Sequence, residues 1–273
     1  MGAVLVTGCS SGVGFETALQ FAREGDRVFA GVRRPDTARE LRDAIAAESL
    51  DITVVQLDVC DQASVDAAFE QMHADVGSLD VLVNNAGIGQ FSAVEDQPID
   101  DALRMLETNL VGPLRTIKAV VPGMRSRGGG TIVNVSSVNG FLAVPFLGVY
   151  GASKWGLEVL SDTLAHEVQG AGIRVLIIEL GVFDTRIGEK SPAPPPSAAL
   201  AGQAEAAAQS RLDMAVSAAP TSSAAQAICD AVRDPNSPRR VLVGDDAVMM
   251  HNLYETKTEQ ELYDMLHSFY GLP

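Results

Sequence analysis

Tyr150 and Lys154 stand four residues apart in the run Val149-Tyr150-Gly151-Ala152-Ser153-Lys154. On a helix that spacing puts both side chains on one face. A phenol alone is a poor acid or base near neutrality, because its ordinary pKa is about 10. A neighbouring ammonium favours the phenolate and brings that proton into useful range. The same spacing also fits a half-buried tyrosine beside a solvated lysine, so the pair needs a context.

The amino-terminal segment supplies one. Gly2-Ala3-Val4-Leu5-Val6 is a short apolar run of the kind that forms a buried parallel strand. It leads into Thr7-Gly8-Cys9-Ser10-Ser11-Gly12-Val13-Gly14 and then a helical pattern from Phe15 to Arg23. Strand, glycine-rich turn and helix form the context that a dinucleotide fingerprint requires. Glycines permit a tight turn and close approach of a pyrophosphate, and the helix start offers unpaired N–H groups and its positive dipole end.

The glycines fall at Gly8, Gly12 and Gly14, a T-G-x-x-x-G-x-G pattern that resembles the short-chain dehydrogenase/reductase family. Further landmarks follow in the family's order. Asn84-Asn85-Ala86-Gly87 ends the apolar run Val81-Leu82-Val83, Asn109 lies in an expected long helix, and Ser136-Ser137 closes the run from Thr131 to Val135. Together these landmarks cover roughly residues 3–190. The Thr7–Gly14 loop, the Val32-Arg33 strand end, the Ser137–Tyr150 stretch and Glu179-Leu180-Gly181 look most like the hydroxysteroid and retinol dehydrogenase branch.

The resemblance implies a set of roles. Tyr150 is the general acid for carbonyl reduction and the base for alcohol oxidation, and Lys154 lowers its pKa and binds the nicotinamide ribose. Ser137 hydrogen-bonds the substrate oxygen, and Asn109 supports Lys154 through a water. The cofactor is expected on Gly8, Ser10, Ser11, Gly12, Val13 and Gly14, on Asp58 and Val59 near the adenine, and on Asn85, Ala86 and Gly87. Tyr150, Lys154, Gly181, Val182 and Thr185 complete its nicotinamide side. Asp58 competes for the role of helix N-cap. Leu180 replaces a proline common in the family and alters the following loop.

Cofactor choice turns on the end of the second strand, Arg27-Val28-Phe29-Ala30-Gly31-Val32. NAD-selective folds usually carry an acidic residue there for the ribose hydroxyls. Val32 takes that place, and Arg33 follows with a guanidinium suited to a 2′-phosphate. NADP(H) is therefore expected ahead of NAD(H).

The elements that must position these residues alternate regularly. Strands are expected at 3–7, 27–32, 52–56, 80–84, 130–136, 172–178 and 239–243, with amphipathic stretches between them such as Thr37 to Glu48 and Ser64 to Ala74. That alternation predicts an α/β fold, a Rossmann-like, doubly wound parallel sheet in a single domain spanning 1–273. An insertion at about 186–222 begins Ser191-Pro192-Ala193-Pro194-Pro195-Pro196 and becomes Ala-rich and helical up to Met214. It reads as a lid over the site. Residues from Ala247 to Phe269 read as one helix.

The lid and the apolar loop from Val138 to Leu147 predict a small, hydrophobic carbonyl or alcohol substrate touching Ser137, Phe141, Val144, Tyr150 and Val182. A steroid-like or retinoid-like compound fits. A 3-oxoacyl-thioester reductase is the enzymatic alternative, and a non-catalytic NADP(H)-binding sensor or scaffold is the alternative of another class.

The chain has 273 residues, long enough to bury a large core, and a net charge of −15. Such an acidic chain is a poor partner for nucleic acid or anionic membranes. Three cysteines without ligand spacing and four scattered histidines predict no metal site. No stretch is apolar enough to span a bilayer, and the first strand starts too early for a signal peptide, so a cytoplasmic protein is expected. The resemblance also implies a homodimer or homotetramer built on the helices that carry Asn109 and Tyr150.

Overall fold

The computed structural model describes residues 2–185, 187, 193–215 and 218–272. Seven strands alternate with helices: β1 Ala3–Thr7, α1 Gly12–Arg23, β2 Arg27–Val32, α2 Arg39–Glu48, β3 Ile52–Gln56, α3 Gln62–Val76 and β4 Val81–Asn84. Then come α4 Ile99–Leu106, α5 Gly112–Arg127, β5 Gly130–Val135, α6 Gly148–Val168 and β6 Ile173–Leu180. The chain continues through α7 Ala201–Ala215, α8 Thr221–Arg233, β7 Arg240–Val243, α9 Asp245–Thr256 and α10 Glu259–Phe269. All seven expected strands are present to within two residues at either end.

Every strand pair is parallel, in the order β3-β2-β1-β4-β5-β6-β7. This is the Rossmann-like, doubly wound sheet that the alternation predicts. Side chains alternate across it. Val4 and Val6 of β1 join a core with α1, α2 and α8, while Ala3 and Leu5 join a second core with α3, α5 and α6. Both faces are covered, which is why the strands read as continuous apolar runs. Winding reverses between β1 and β4, and in such sheets the ligand crevice lies at the carboxyl ends of the strands around that point.

Two expectations need correction. The carboxy-terminal helix is two helices: Thr258 caps α10 with a reciprocal capping box to Glu261, which interrupts the expected run from Ala247 to Phe269. The N-cap of α3 is Asp61, whose side chain accepts the Ala63 N–H at 3.0 Å, and not Asp58. Of the expected lid, residues 186, 188–192, 216 and 217 lie outside the described residues. Its helical part is α7, whereas its last residues, Thr221 and Ser222, already belong to α8, which packs on α1.

Candidate active site

The glycine loop is built by close approach. Gly8 and Gly12 have φ of +77° and +66°, a region costly for other residues. A Cβ on Gly14 would lie 2.2 Å from Nδ2 of Asn85 and 2.8 Å from the Gly8 carbonyl oxygen, so no side chain fits there. Thr7, which the sequence reading left without a role, ties the loop to β4. Its Oγ1 accepts the N–H groups of Asn85 and Ala86, both at 3.0 Å, and Asn85 Nδ2 returns a bond to the Thr7 carbonyl at 2.9 Å. Asn85 is thus a strut across the switch point. Ser11 occupies the N-cap position of α1 in extended backbone, with Val13 and Gly14 buried behind it and Ser10 exposed. Thr185 lies opposite: a Cβ on Gly12 would meet its methyl group at 3.7 Å.

At the end of β2, Val32 is buried and Arg33 is exposed. Among the described residues no carboxylate pairs with Arg33. Asp58 Oδ1 accepts the Cys60 N–H at 3.0 Å, which forms a local turn beside buried Val59. The cradle therefore fits a pyrophosphate at α1 and an anionic group at Arg33. Gly87 leads on toward the reacting end, since a Cβ there would lie 3.4 Å from Asn109 Oδ1 and 3.9 Å from Lys154 Nζ.

Asn109 is fully buried in a π-helical turn, Glu107–Val111, that joins α4 to α5. Such turns recur at functional sites. Its Nδ2 donates to the Ile88 carbonyl at 2.8 Å and to Ser153 Oγ at 3.0 Å, and its Oδ1 accepts the Ile88 N–H at 2.9 Å. The side chain thereby clamps the loop after β4 to α6.

Tyr150 and Lys154 share a face of α6, with Nζ 5.8 Å from the ring centre. Nζ donates to the Val135 carbonyl at 2.8 Å. Burial brings Lys154 down to about 8, against the charge of Glu158 one turn on. Burial also pushes the Tyr150 phenol up, while the nearby Ser137 hydroxyl and the charge of Arg211 act to hold it down. The expected lowering by Lys154 is therefore not what dominates here, because the ring is desolvated and the ammonium is turned to a carbonyl. Ser137 Oγ accepts from the N–H and Nδ2 of Asn139 at 3.3 and 3.4 Å, which leaves its own proton to donate.

A polar layer that the sequence reading missed stands behind the pair. Glu158 and Glu179 are buried around Arg240, which lies 2.6 Å from Glu158 Oε2 and 3.8 Å from Glu179 Oε1. Burial pushes Glu158 up to about 7, with the Ser136 hydroxyl and Arg240 opposing and Glu179 adding to the rise. Spacing alone does not reveal this layer, because Arg240 comes from β7, more than eighty positions from Glu158 along the chain.

The pocket side differs from expectation in part. Phe141 turns to α9, against His251 and Tyr254 at 5.2 and 5.5 Å between ring centres. Phe91 and Phe146 stack at 5.1 Å, Phe146 with a positive φ of 62°. Both line a cavity of about 260 Å³ beside α7, with Pro194, Pro196, Ala204 and Ala208. Neither Phe141, Val144 nor Val182 lines that cavity, and Ser137 and Tyr150 stand apart from it. Gly181 makes its close approach to protein as well: Asp246 Oδ2 accepts the Val182 N–H at 2.6 Å, and a Cβ on Gly181 would collide with that carboxylate. Among the described residues there is no cluster of metal-ligating side chains and no helix long and apolar enough to cross a membrane.

The sequence profile of the family described as short chain dehydrogenase matches residues 2–195. Retinol dehydrogenase 8 of Homo sapiens is 38% identical over 191 residues, 68% of this chain and 60% of its own length. A short-chain dehydrogenase from Streptomyces avermitilis has a similar structure, with TM-score 0.84, 33% identity and 99% of each chain covered. A gluconate 5-dehydrogenase from Burkholderia cenocepacia J2315, solved with NADP and tartrate, has TM-score 0.76 and 25% identity, covering 91% of this chain and 95% of that one.

Proposed function

The chain belongs to the short-chain dehydrogenase family, and on that premise we propose that it is an NADP(H)-dependent oxidoreductase of one domain. It interconverts a hydrophobic ketone or aldehyde and the corresponding alcohol. The observation that carries this reading is the placing of Tyr150 and Lys154 on one face of α6 near Ser137 and the glycine cradle, with Lys154 Nζ 5.8 Å from the Tyr150 ring centre and donating to the Val135 carbonyl. The nicotinamide, when bound, supplies the hydride chemistry.

This chain's own residues handle the proton and the charge. Tyr150 gives its proton to the substrate oxygen in reduction and takes it back in oxidation. Ser137 donates to the same oxygen and stabilises the charge that develops there. Lys154, held by Val135, keeps a positive group near the phenol, and Asn109 fixes the loop on which Gly87 and Ile88 sit. Desolvation leaves the phenol protonated at neutral pH, which suits the direction of carbonyl reduction.

Exposed Arg33, which pairs with no carboxylate among the described residues, stands beside buried Val32 and supports NADP(H) over NAD(H), and the NADP in the gluconate 5-dehydrogenase structure is in keeping with it. Similarity to retinol dehydrogenase 8 supports an apolar substrate, as do Phe91 and Phe146 in the cavity. Ile99, Leu103, Trp155 and Val159 are exposed apolar residues on α4 and α6. Such a patch supports a homodimer or homotetramer through the helices that carry the Asn109 turn and Tyr150. The test is consumption of NADPH and NADH with a panel of hydrophobic ketones, retinal and a steroid ketone. NADPH-linked turnover supports the reading, and tight NADPH binding without turnover of any of them overturns it.

A further inference from the structure

Helix α7 brings one cation to the mouth of the site. Gly89 backs the catalytic phenol, since a Cβ there would lie 3.4 Å from Cδ2 of Tyr150. Two residues on, the Phe91 ring is stacked by Phe146 and covered by Arg211, whose guanidinium carbon is 4.8 Å from the ring centre. The charge of Arg211 is felt at Tyr150, and also at Tyr270, which is buried beneath the carboxy-terminal turn. Ser210 next to it donates to the Phe269 carbonyl at 3.1 Å, so α10 steadies the end of α7 that bears this arginine.

Arg211 differs from the other half-buried arginines. Arg27, Arg115 and Arg240 each meet a carboxylate, and Arg174 donates to the carbonyls of Asp234 and Val232. Arg211 meets neither a carboxylate nor a carbonyl among the described residues, and its contact is the face of the Phe91 ring. A partly desolvated guanidinium without a countercharge is costly to keep. We propose that Arg211 binds a carboxylate on the substrate, which makes the favoured substrate an apolar carbonyl compound with an acid group on the lid side of the reacting carbon.

The chemistry selects a carboxylate. A single planar guanidinium matches its two oxygens in one fork. A phosphate monoester, with two charges, calls for more than one cation, and no other is described at this position. Asp96 and Glu205 line the cavity beside α7, from which Arg211 is absent. An acid group is therefore repelled from the cavity and drawn to the Tyr150 side, so the apolar part of the molecule is the part that fits beside Phe91 and Phe146.

This inference rests on the oxidoreductase reading, and its test separates the two. Benzoylformate and benzoylpropionate are each compared with their methyl esters in NADPH-linked reduction. The acid-to-ester ratio of kcat/KM is expected to be about ten or more in the parent, to fall to about one in Arg211→Met, and to recover in part in Arg211→Lys. The methionine keeps an apolar stem over Phe91, and thermal melting checks that it folds. A parent that prefers the esters, or a ratio unchanged in Arg211→Met, overturns the inference. So does a variant whose pH profile moves while the ratio stays. Turnover of none of the four compounds counts against the oxidoreductase reading instead. Calorimetric titration of benzoylpropionate into NADP⁺-loaded protein then decides Arg211: binding about ten-fold weaker in Arg211→Met supports it, and equal binding overturns it.

Discussion

The Lys154 ammonium donates to the carbonyl oxygen of Val135, the last residue of β5, at 2.8 Å. This bond joins the middle of the helix carrying Tyr150 to the strand end from which Ser136 and Ser137 emerge. It holds the phenol, the serine hydroxyl and the amine in one small volume. Burial brings the amine to about 8, so at neutral pH it keeps its charge and remains able to donate.

Cofactor choice is tested at Arg33. Replacing it with alanine removes the exposed cation at the end of β2 and leaves buried Val32 and the sheet untouched. The kcat/KM for NADPH is expected to fall about ten- to a hundred-fold, with that for NADH little changed. Steady-state kinetics with both nucleotides measures the split, and equal losses for both would contradict a role at the 2′-phosphate.

Asn109→Leu probes the clamp between the loop after β4 and α6. It leaves the Ile88 N–H and carbonyl without their partners in a fully buried place. A loss of about 2–4 kcal/mol is expected, read as a lower urea midpoint. A variant as stable as the parent would show that the clamp is dispensable.

Glu158 gives the protein a pH dependence of defined sign. Burial holds it near 7 in the folded chain, above its ordinary 4.5. Its contribution is therefore complete below about pH 4.5 and is lost as pH rises through 7. Lys154, lowered to about 8, acts in the opposite sense and only above that pH. Between about pH 5 and 8 the parent should lose stability relative to Glu158→Gln, by on the order of 3 kcal/mol at most. Parallel melting profiles for the two proteins across that range would refute this.

Val159→Asp places a charge in the exposed apolar patch of α6 without touching the face that carries Tyr150. Light scattering should show a smaller species than the parent, with the monomer as the limit. An unchanged mass would remove this patch from the proposed subunit contact.

Much of the fold was legible because both faces of the sheet are covered. Each strand is then an uninterrupted apolar run, and each glycine of the Thr7–Gly14 loop marks either a positive φ or a contact too close for a side chain. Tyr150, Lys154, Ser137 and Asn109 could be singled out from the sequence because each sits at a fixed offset within one element or at one strand end. Side chains that reach the site from a distant element left no such trace. Arg240 meets Glu158 only because β7 lies beside β6, and Asp246 meets Val182 only because α9 begins at the edge of the sheet. The packing of Phe141 on His251 and Tyr254 was hidden for a related reason: an apolar loop residue gives no sign of which neighbour it covers. The break at Thr258 was visible as a Thr-x-x-Glu capping pattern, but the apolar spacing on either side concealed it.

The most direct test of the account is NADPH-linked reduction of one hydrophobic ketone by the parent and by Tyr150→Phe, with NADPH affinity measured on both. The account predicts that the parent turns over, that the variant loses about a thousand-fold or more in kcat, and that both bind NADPH equally. Turnover that survives in Tyr150→Phe, or that appears with NADH and not with NADPH, would contradict it.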